Sequence, residues 1–174
     1  MPVYSKNFEP IAKPSENVCI VGAGGKGAVK YFKVLGIEPL PALIKDFGAI
    51  TNGTSVTSTV DELYLNKSQL AQYRMKLIDN VVVKIYQPAA NTRSATKSGT
   101  FTINQNIAPN DSSVEFSPLT EFYIYEDQEI KFEVINESGS DLSSSKILFA
   151  GFKYKLKELE EEPDKYTTVY VETL

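Results

Sequence analysis

The sequence predicts a mainly β protein: an antiparallel β-sandwich or jelly roll with one or two short helices and an extended N-terminal arm. Three observations carry this expectation. Apolar and polar residues alternate with a period of two over most of the chain from Val60 onward, residues rich in Asn, Asp, Gly, Pro and Ser separate the alternating runs, and the beginning is punctuated by prolines. The 174 residues, 42% hydrophobic and 23% charged, suffice for one domain with a real core and fit neither wholesale disorder nor collagen nor a coiled coil.

The first 17 residues carry Pro2, Pro10 and Pro14, with Tyr4, Phe8 and Ile11 spaced among polar residues. Proline blocks helix interiors and extends its predecessor, so this stretch reads as an arm whose anchors are those three apolar residues. Residues 18–50 change character, with an apolar run at Val18 to Val21, glycines at 22, 24, 25 and 27, then AVKYFKVLG and PALIKDFGAI. Val29, Phe32 and Leu35 fall at i, i+3 and i+6, which predicts a short helix closed by Gly36, with a second helical turn in ALIKDF. The polar tract beginning at Thr51 then divides the chain into an arm and glycine-rich docking segment, 1–55, and a β-sandwich domain, 56–174.

Within the second part VDELYL reads as a strand, and NKSQLAQYRMKLIDN as a helix with Leu70, Tyr73 and Leu77 on one face and Ser68 as N-cap. Further strands are expected in VVVKIYQ, GTFTINQNI, VEFSP, EFYIYED, EIKFEVIN, KILFAGFKYKLKEL and YTTVYVE. Ile130, Phe132 and Val134 share a face opposite Lys131 and Glu133. Leu148, Ala150, Phe152, Tyr154 and Leu156 likewise oppose Lys153, Lys155 and Lys157, whereas Ile147 and Phe149 put apolar groups on the polar side, so this strand should begin with both faces covered. Tyr123 and Tyr125 face away from Phe122 and Ile124, giving another strand that is greasy on both sides.

Candidate chemistry is sparse. There is no histidine and no tryptophan, which removes the usual neutral-pH proton carrier, the commonest zinc ligand and the strongest aromatic platform. The single cysteine, Cys19, sits in an apolar run and reads as a small buried hydrophobe, and no intrachain disulfide can form. Gly22-Ala-Gly24-Gly-Lys-Gly27 matches a dinucleotide fingerprint, and Asp46 could pose as its ribose acid. Yet Tyr31 stands where close helix packing prefers a small residue, and no further βαβ units follow, so a glycine loop within a docking segment is the preferred reading. Asp127 with Glu129, and the acidic run Glu158 to Glu162, lack calcium-loop spacing and read as solvated turns. The loop from Arg93 to Lys97 carries no base-reading signature, and a net charge of −4 gives nucleic acid little to hold. Four N-x-Ser/Thr triplets, at Asn52, Asn66, Asn110 and Asn136, are taken as chance, because the amino terminus does not read as a secretory signal. No stretch approaches the roughly 18 consecutive apolar residues of a membrane span.

DLSSSKILFAGFKYKLKEL, together with EFYIYEDQEIKFEVIN and KSGTFTINQNI, resembles β-rich structural proteins of bacteriophage particles, of the minor capsid, vertex or decoration type, over about residues 60–160. The resemblance implies a sandwich or jelly-roll body that binds other subunits, in a virion assembled from protein made in the host cytoplasm. It carries over no catalytic residue, cofactor or metal ligand. The expected partners are other copies of the chain or other virion proteins, with no membrane and no small molecule. The expected contact residues are Tyr4, Phe8, Ile11, Tyr123, Tyr125, Ile147 and Phe149. Two other classes compete: a carbohydrate-binding sandwich stacking sugars on Tyr123, Tyr125 or Tyr154, and a small nucleotide-binding protein using Gly22, Gly24 and Gly27.

Overall fold

A computed structural model describes residues 9–22, 28–86, 100–104, 121–126, 128 and 130–171. Its ten strands are β1 (Asn17–Val21), β2 (Val29–Asp46), β3 (Ser55–Thr59), β4 (Gln69–Leu77), β5 (Val82–Tyr86), β6 (Thr100–Asn104), β7 (Glu121–Tyr125), β8 (Lys131–Ile135), β9 (Lys146–Leu159) and β10 (Thr167–Tyr170). They form a six-stranded sheet in the order β10-β1-β2-β9-β4-β7 and a four-stranded sheet in the order β3-β8-β5-β6. Among the described residues only β1 and β10 pair in parallel; every other ladder is antiparallel, as a β-sandwich requires.

Helix is confined, among the described residues, to the 3-10 turn Asp61–Leu63, and it falls inside VDELYL, which had been expected to be a strand. All three stretches expected to be helical form strands, AVKYFKVLG and ALIKDF in β2 and NKSQLAQYRMKLIDN in β4. Val29 to Gly36 opens β2, where alternation sends Phe32 and Val34 to one face and Val29, Tyr31 and Lys33 to the other. Leu35 is the extra residue of a β-bulge, since Val34 pairs with Leu156 and Gly36 with Lys155. A second irregularity lies between Leu40 and Leu43, and beyond Lys33 only β9 pairs with β2. Pro39 lies beside, and Pro41 within, the irregular stretch between Leu40 and Leu43, where the regular ladder is interrupted. The expected separation at 55/56 does not divide the sheets, because β1 and β2 are strands of the six-stranded sheet.

β4 was misread because Leu70, Tyr73 and Leu77 have helical spacing. Its real order is Ala71, Tyr73, Met75 and Leu77 on one face and Leu70, Gln72, Arg74 and Lys76 on the other, and all eight are buried. The first set joins Phe122, Ile124, Phe132, Val134, Ile147 and Phe149 in the core between the sheets. There the Phe132 ring meets Phe149 edge-on at 5.4 Å and Phe122 at 5.9 Å, while Tyr73 stacks on Phe122 at 5.7 Å. Asn136, one of the N-x-Ser/Thr sites, is fully buried; its Nδ2 donates to the carbonyls of Ile50 and Ser140, tying a loop rather than offering a modification site.

The six-stranded sheet has a second apolar cluster on its other face, built from Val18, Ile20, Phe32, Val34, Leu70, Tyr125, Phe152, Tyr154, Leu156 and Val169. The sheet reaches this by curling. β2 and β7 are separated by β9 and β4, about 14 Å at ordinary strand spacing, yet the rings of Phe32 and Tyr125 lie 5.8 Å apart. The two edges of the sheet are stapled by one buried side chain: Gln128 Oε1 accepts the N–H of Tyr125 and its Nε2 donates to the carbonyl of Val171. A side-chain bridge in place of a ladder leaves the sheet curled but not closed into a barrel.

Candidate functional site

Among the described residues, the convex face of the curled sheet is covered at one end only. The four-stranded sheet lies over Ile147, Phe149, Leu40, Leu43 and the β4 residues, while no residue of β1 or β10 belongs to that core. On the same face the far end of β2 and β9 continues with β1 and β10. In-register pairs place Val29, Val21 and Tyr170 in one row across three strands, and Leu159, Tyr31, Cys19 and Thr168 in the next. Val29 is 47% and Tyr170 57% exposed, values unusual for large apolar side chains in register. Tyr166 packs edge-on against Tyr31 with centroids 5.3 Å apart, and its O–H donates to Glu162 at 2.8 Å. That hydrogen bond raises the Tyr166 hydroxyl to about 12. Cys19, expected as a buried hydrophobe, is 4% exposed, and burial first and Glu162 second push its thiol up, away from the thiolate a nucleophile needs. Lysines border the apolar rows, with Lys33 opposite Lys157 and Lys155 one row farther.

The concave face holds a different feature. Here Gln72, 1% exposed, and Tyr154, fully buried, meet residues 9–12. The Ile11 N–H donates to Tyr154 Oη at 2.8 Å and to Gln72 Oε1 at 3.1 Å, Gln72 Nε2 donates to the carbonyl of Glu9 at 3.0 Å, and Tyr154 O–H donates to Gln72 Oε1 at 2.7 Å. Ile11 and Ala12 pack against the second apolar cluster. Beside this joint, Arg74 Nε meets Glu121 Oε2 at 2.9 Å, and Tyr123 O–H donates to the other oxygen of the same carboxylate. Burial, and then that hydrogen bond, push the Tyr123 hydroxyl far above the ordinary tyrosine range. Burial does the same to Tyr154.

These placements sort the expected contact residues. Ile11 lies on the concave face of its own chain. Tyr125 is 2% exposed, and Ile147 and Phe149 are fully buried between the sheets, so the extra cover on the start of β9 is the chain's own second sheet and these three have no surface to offer a partner. Tyr123 is half-buried with its hydroxyl engaged. Tyr4 and Phe8 lie outside the described residues, as do Gly24, Gly27, Asp127, Glu129 and the Arg93–Lys97 loop. Of the three sugar-stacking candidates, Tyr125 and Tyr154 have enclosed rings and Tyr123 is half-buried. The nucleotide alternative loses its helix: β1 returns antiparallel as β2, with Gly22 N–H bonded to the Ala28 carbonyl, so no helix N-terminus follows the glycines. Asp46, its supposed ribose acid, instead accepts the N–H groups of Gly48 and Ser145, which hold its carboxyl below the usual range.

One cleft of about 190 Å³ lies between Val60, Leu63, Ile124, Gln128 and Ile130, below the ~300 Å³ at which ligand sites begin; another of about 360 Å³, between Ser15, Asn17, Lys165 and Tyr166, is open to solvent. Among the described residues no three His, Cys, Asp or Glu side chains gather as metal ligands, and no helix is long and apolar enough to cross a membrane. The open rows of β1, β2 and β10 were missed in the sequence because Val29 and Leu35 had been assigned to a helix; alternation of Val29, Tyr31 and Lys33 was the signal that could have found them. Comparison with protein-family models, with curated proteins and with solved structures gave no match.

Proposed function

We propose that this chain is a structural assembly component, acting through subunit contacts rather than catalysis, of the capsid-associated kind that the resemblance to bacteriophage structural proteins implies. The reading is carried by the open end of the convex face, where Val29, Val21 and Tyr170 form a row in register in which Val29 and Tyr170 are exposed among the described residues. A contiguous apolar row bordered by charge is the ordinary make-up of a protein–protein contact, with an apolar centre and a polar rim. Its partners are other copies of the chain or other proteins of the particle.

Size-exclusion chromatography with light scattering on the full chain, over a range of concentrations, tests this against Val29→Glu/Tyr170→Glu. Assembly that grows with concentration and is abolished in the double variant is expected. A monomer at every concentration that binds glycans or nucleotides would overturn the reading.

A further inference from the structure

The segment holding Ile11 is joined to β1 by a strained turn. Glu16 N–H bonds to the Lys13 carbonyl at 3.0 Å, with Pro14 at the second position and Ser15 at the third, where φ is +73°. This is a type II turn, whose third position calls for glycine. Ser15 and Ser68 are the only described non-glycine residues with positive φ. The turn folds the arm back over the concave face of its own chain; the Ser15 N–H and the Glu16 carbonyl are bonded to Val34 of β2, so opening the turn would relieve the strain and release the residues before it.

The joint takes the arm by both main chain and side chains, since Ile11 and Ala12 pack into the second apolar cluster. Gln72 and Tyr154 hold the arm's main chain, through the carbonyl of residue 9 and the N–H of residue 11. Both side chains are buried and polar, so removing the arm strips their partners, and refilling the groove with an equivalent segment restores them. A second copy of this chain supplies the identical segment. We propose that the concave face is an exchange site, in which residues 9–12 of one copy seat against Gln72 and Tyr154 of another when the turn at Pro14–Ser15 opens. Residues 13–16 then act as the hinge, spanning at most about 14 Å when extended, which requires the two grooves to face each other closely. This contact is separate from the open end of the convex face, and either can fail without the other.

The first test compares full-length wild type with S15G and S15V by light scattering over a concentration series. Glycine relaxes the closed turn and valine strains it further, so with two hinges per dimer the S15G dimer should dissociate roughly thirtyfold more readily than wild type. S15V should shift the other way. The second test mixes two full-length variants, I11P, which lacks the donating N–H, and Q72L, which lacks the amide. Each alone should be monomeric, whereas their mixture should yield a 1:1 heterodimer, because only an arm from Q72L in the groove of I11P makes a sound joint. Circular dichroism establishes that both are folded; if either is not, the Ser15 series decides alone. A dimer indifferent to Ser15, a monomer in all three Ser15 forms, or folded variants that fail to pair overturns the proposal.

Discussion

Strand β9 passes through two environments on one face within its 14 residues. At its start Ile147 and Phe149 are fully buried beneath the four-stranded sheet; past Gly151, the same face carries Lys153, Lys155 and Lys157 toward solvent. Its neighbour β2 makes the reverse passage, from the exposed Val29 to Leu40 and Leu43 against the core. The covered half is closed by interdigitated aromatic rings, the open half by nothing in this chain among the described residues. The Gln128 side chain bridges the β7 end and the residue after β10, the two edges of the curled sheet. Two halves of one surface thus serve different ends, one for the chain's own stability and the other left for contact.

The sharpest way to separate them is a matched pair of truncations followed by urea unfolding. Phe149→Ala should cost about 3–5 kcal/mol because it leaves a cavity beside Phe122 and Phe132. Val29→Ala should stay within about 0.5 kcal/mol. Comparable losses at both sites would show that the open half is covered after all. At the boundary, a methyl on Gly151 would run into the Gln72 carbonyl oxygen and lie 2.9 Å from Tyr73 Cδ1, so Gly151→Ala should cost about 1–3 kcal/mol, and an unchanged denaturation midpoint would contradict the close β4–β9 approach.

Alkaline titration addresses the covered tyrosines. Burial raises Tyr73 from 10 to about 12 and also raises Tyr154, so the folded state holds these phenols neutral where the unfolded chain ionises. Their contribution to stability is complete below pH 10 and falls as pH climbs from there through about 12. Circular dichroism and tyrosinate absorbance recorded together should show these phenols ionising with unfolding; full ionisation near pH 10 with the fold intact would refute it. The smallest effect belongs to the open half, where Lys33 and Lys157 stand directly opposite each other. Lys157→Glu should stabilise the isolated chain by about 0.2–1 kcal/mol, read as a shift in the urea midpoint, and a loss would mean the lysine pair already has an acidic neighbour.

Alternation was legible where polar residues faced water. Lys131 and Glu133 marked the outer side of β8, and Lys153, Lys155 and Lys157 that of β9. It was obscured in β4, whose Gln72, Arg74 and Lys76 are buried, and in β2, whose bulge at Leu35 and prolines imitate a helix end and a break. The arm was legible as an arm, through its prolines; that Gln72 and Tyr154 receive it was not, because those residues lie 61 and 143 positions from Ile11.

By itself, then, the sequence determined a β-rich chain and, strand by strand in the regular runs, which side chains share a side, since an extended backbone sends neighbours to opposite faces wherever it occurs. Only the tertiary structure decided which sides are covered. Strand order, the curl stapled by Gln128 and the seating of residues 9–12 arise from contacts between distant parts of the chain, and a local pattern holds no record of which strand will lie beside which.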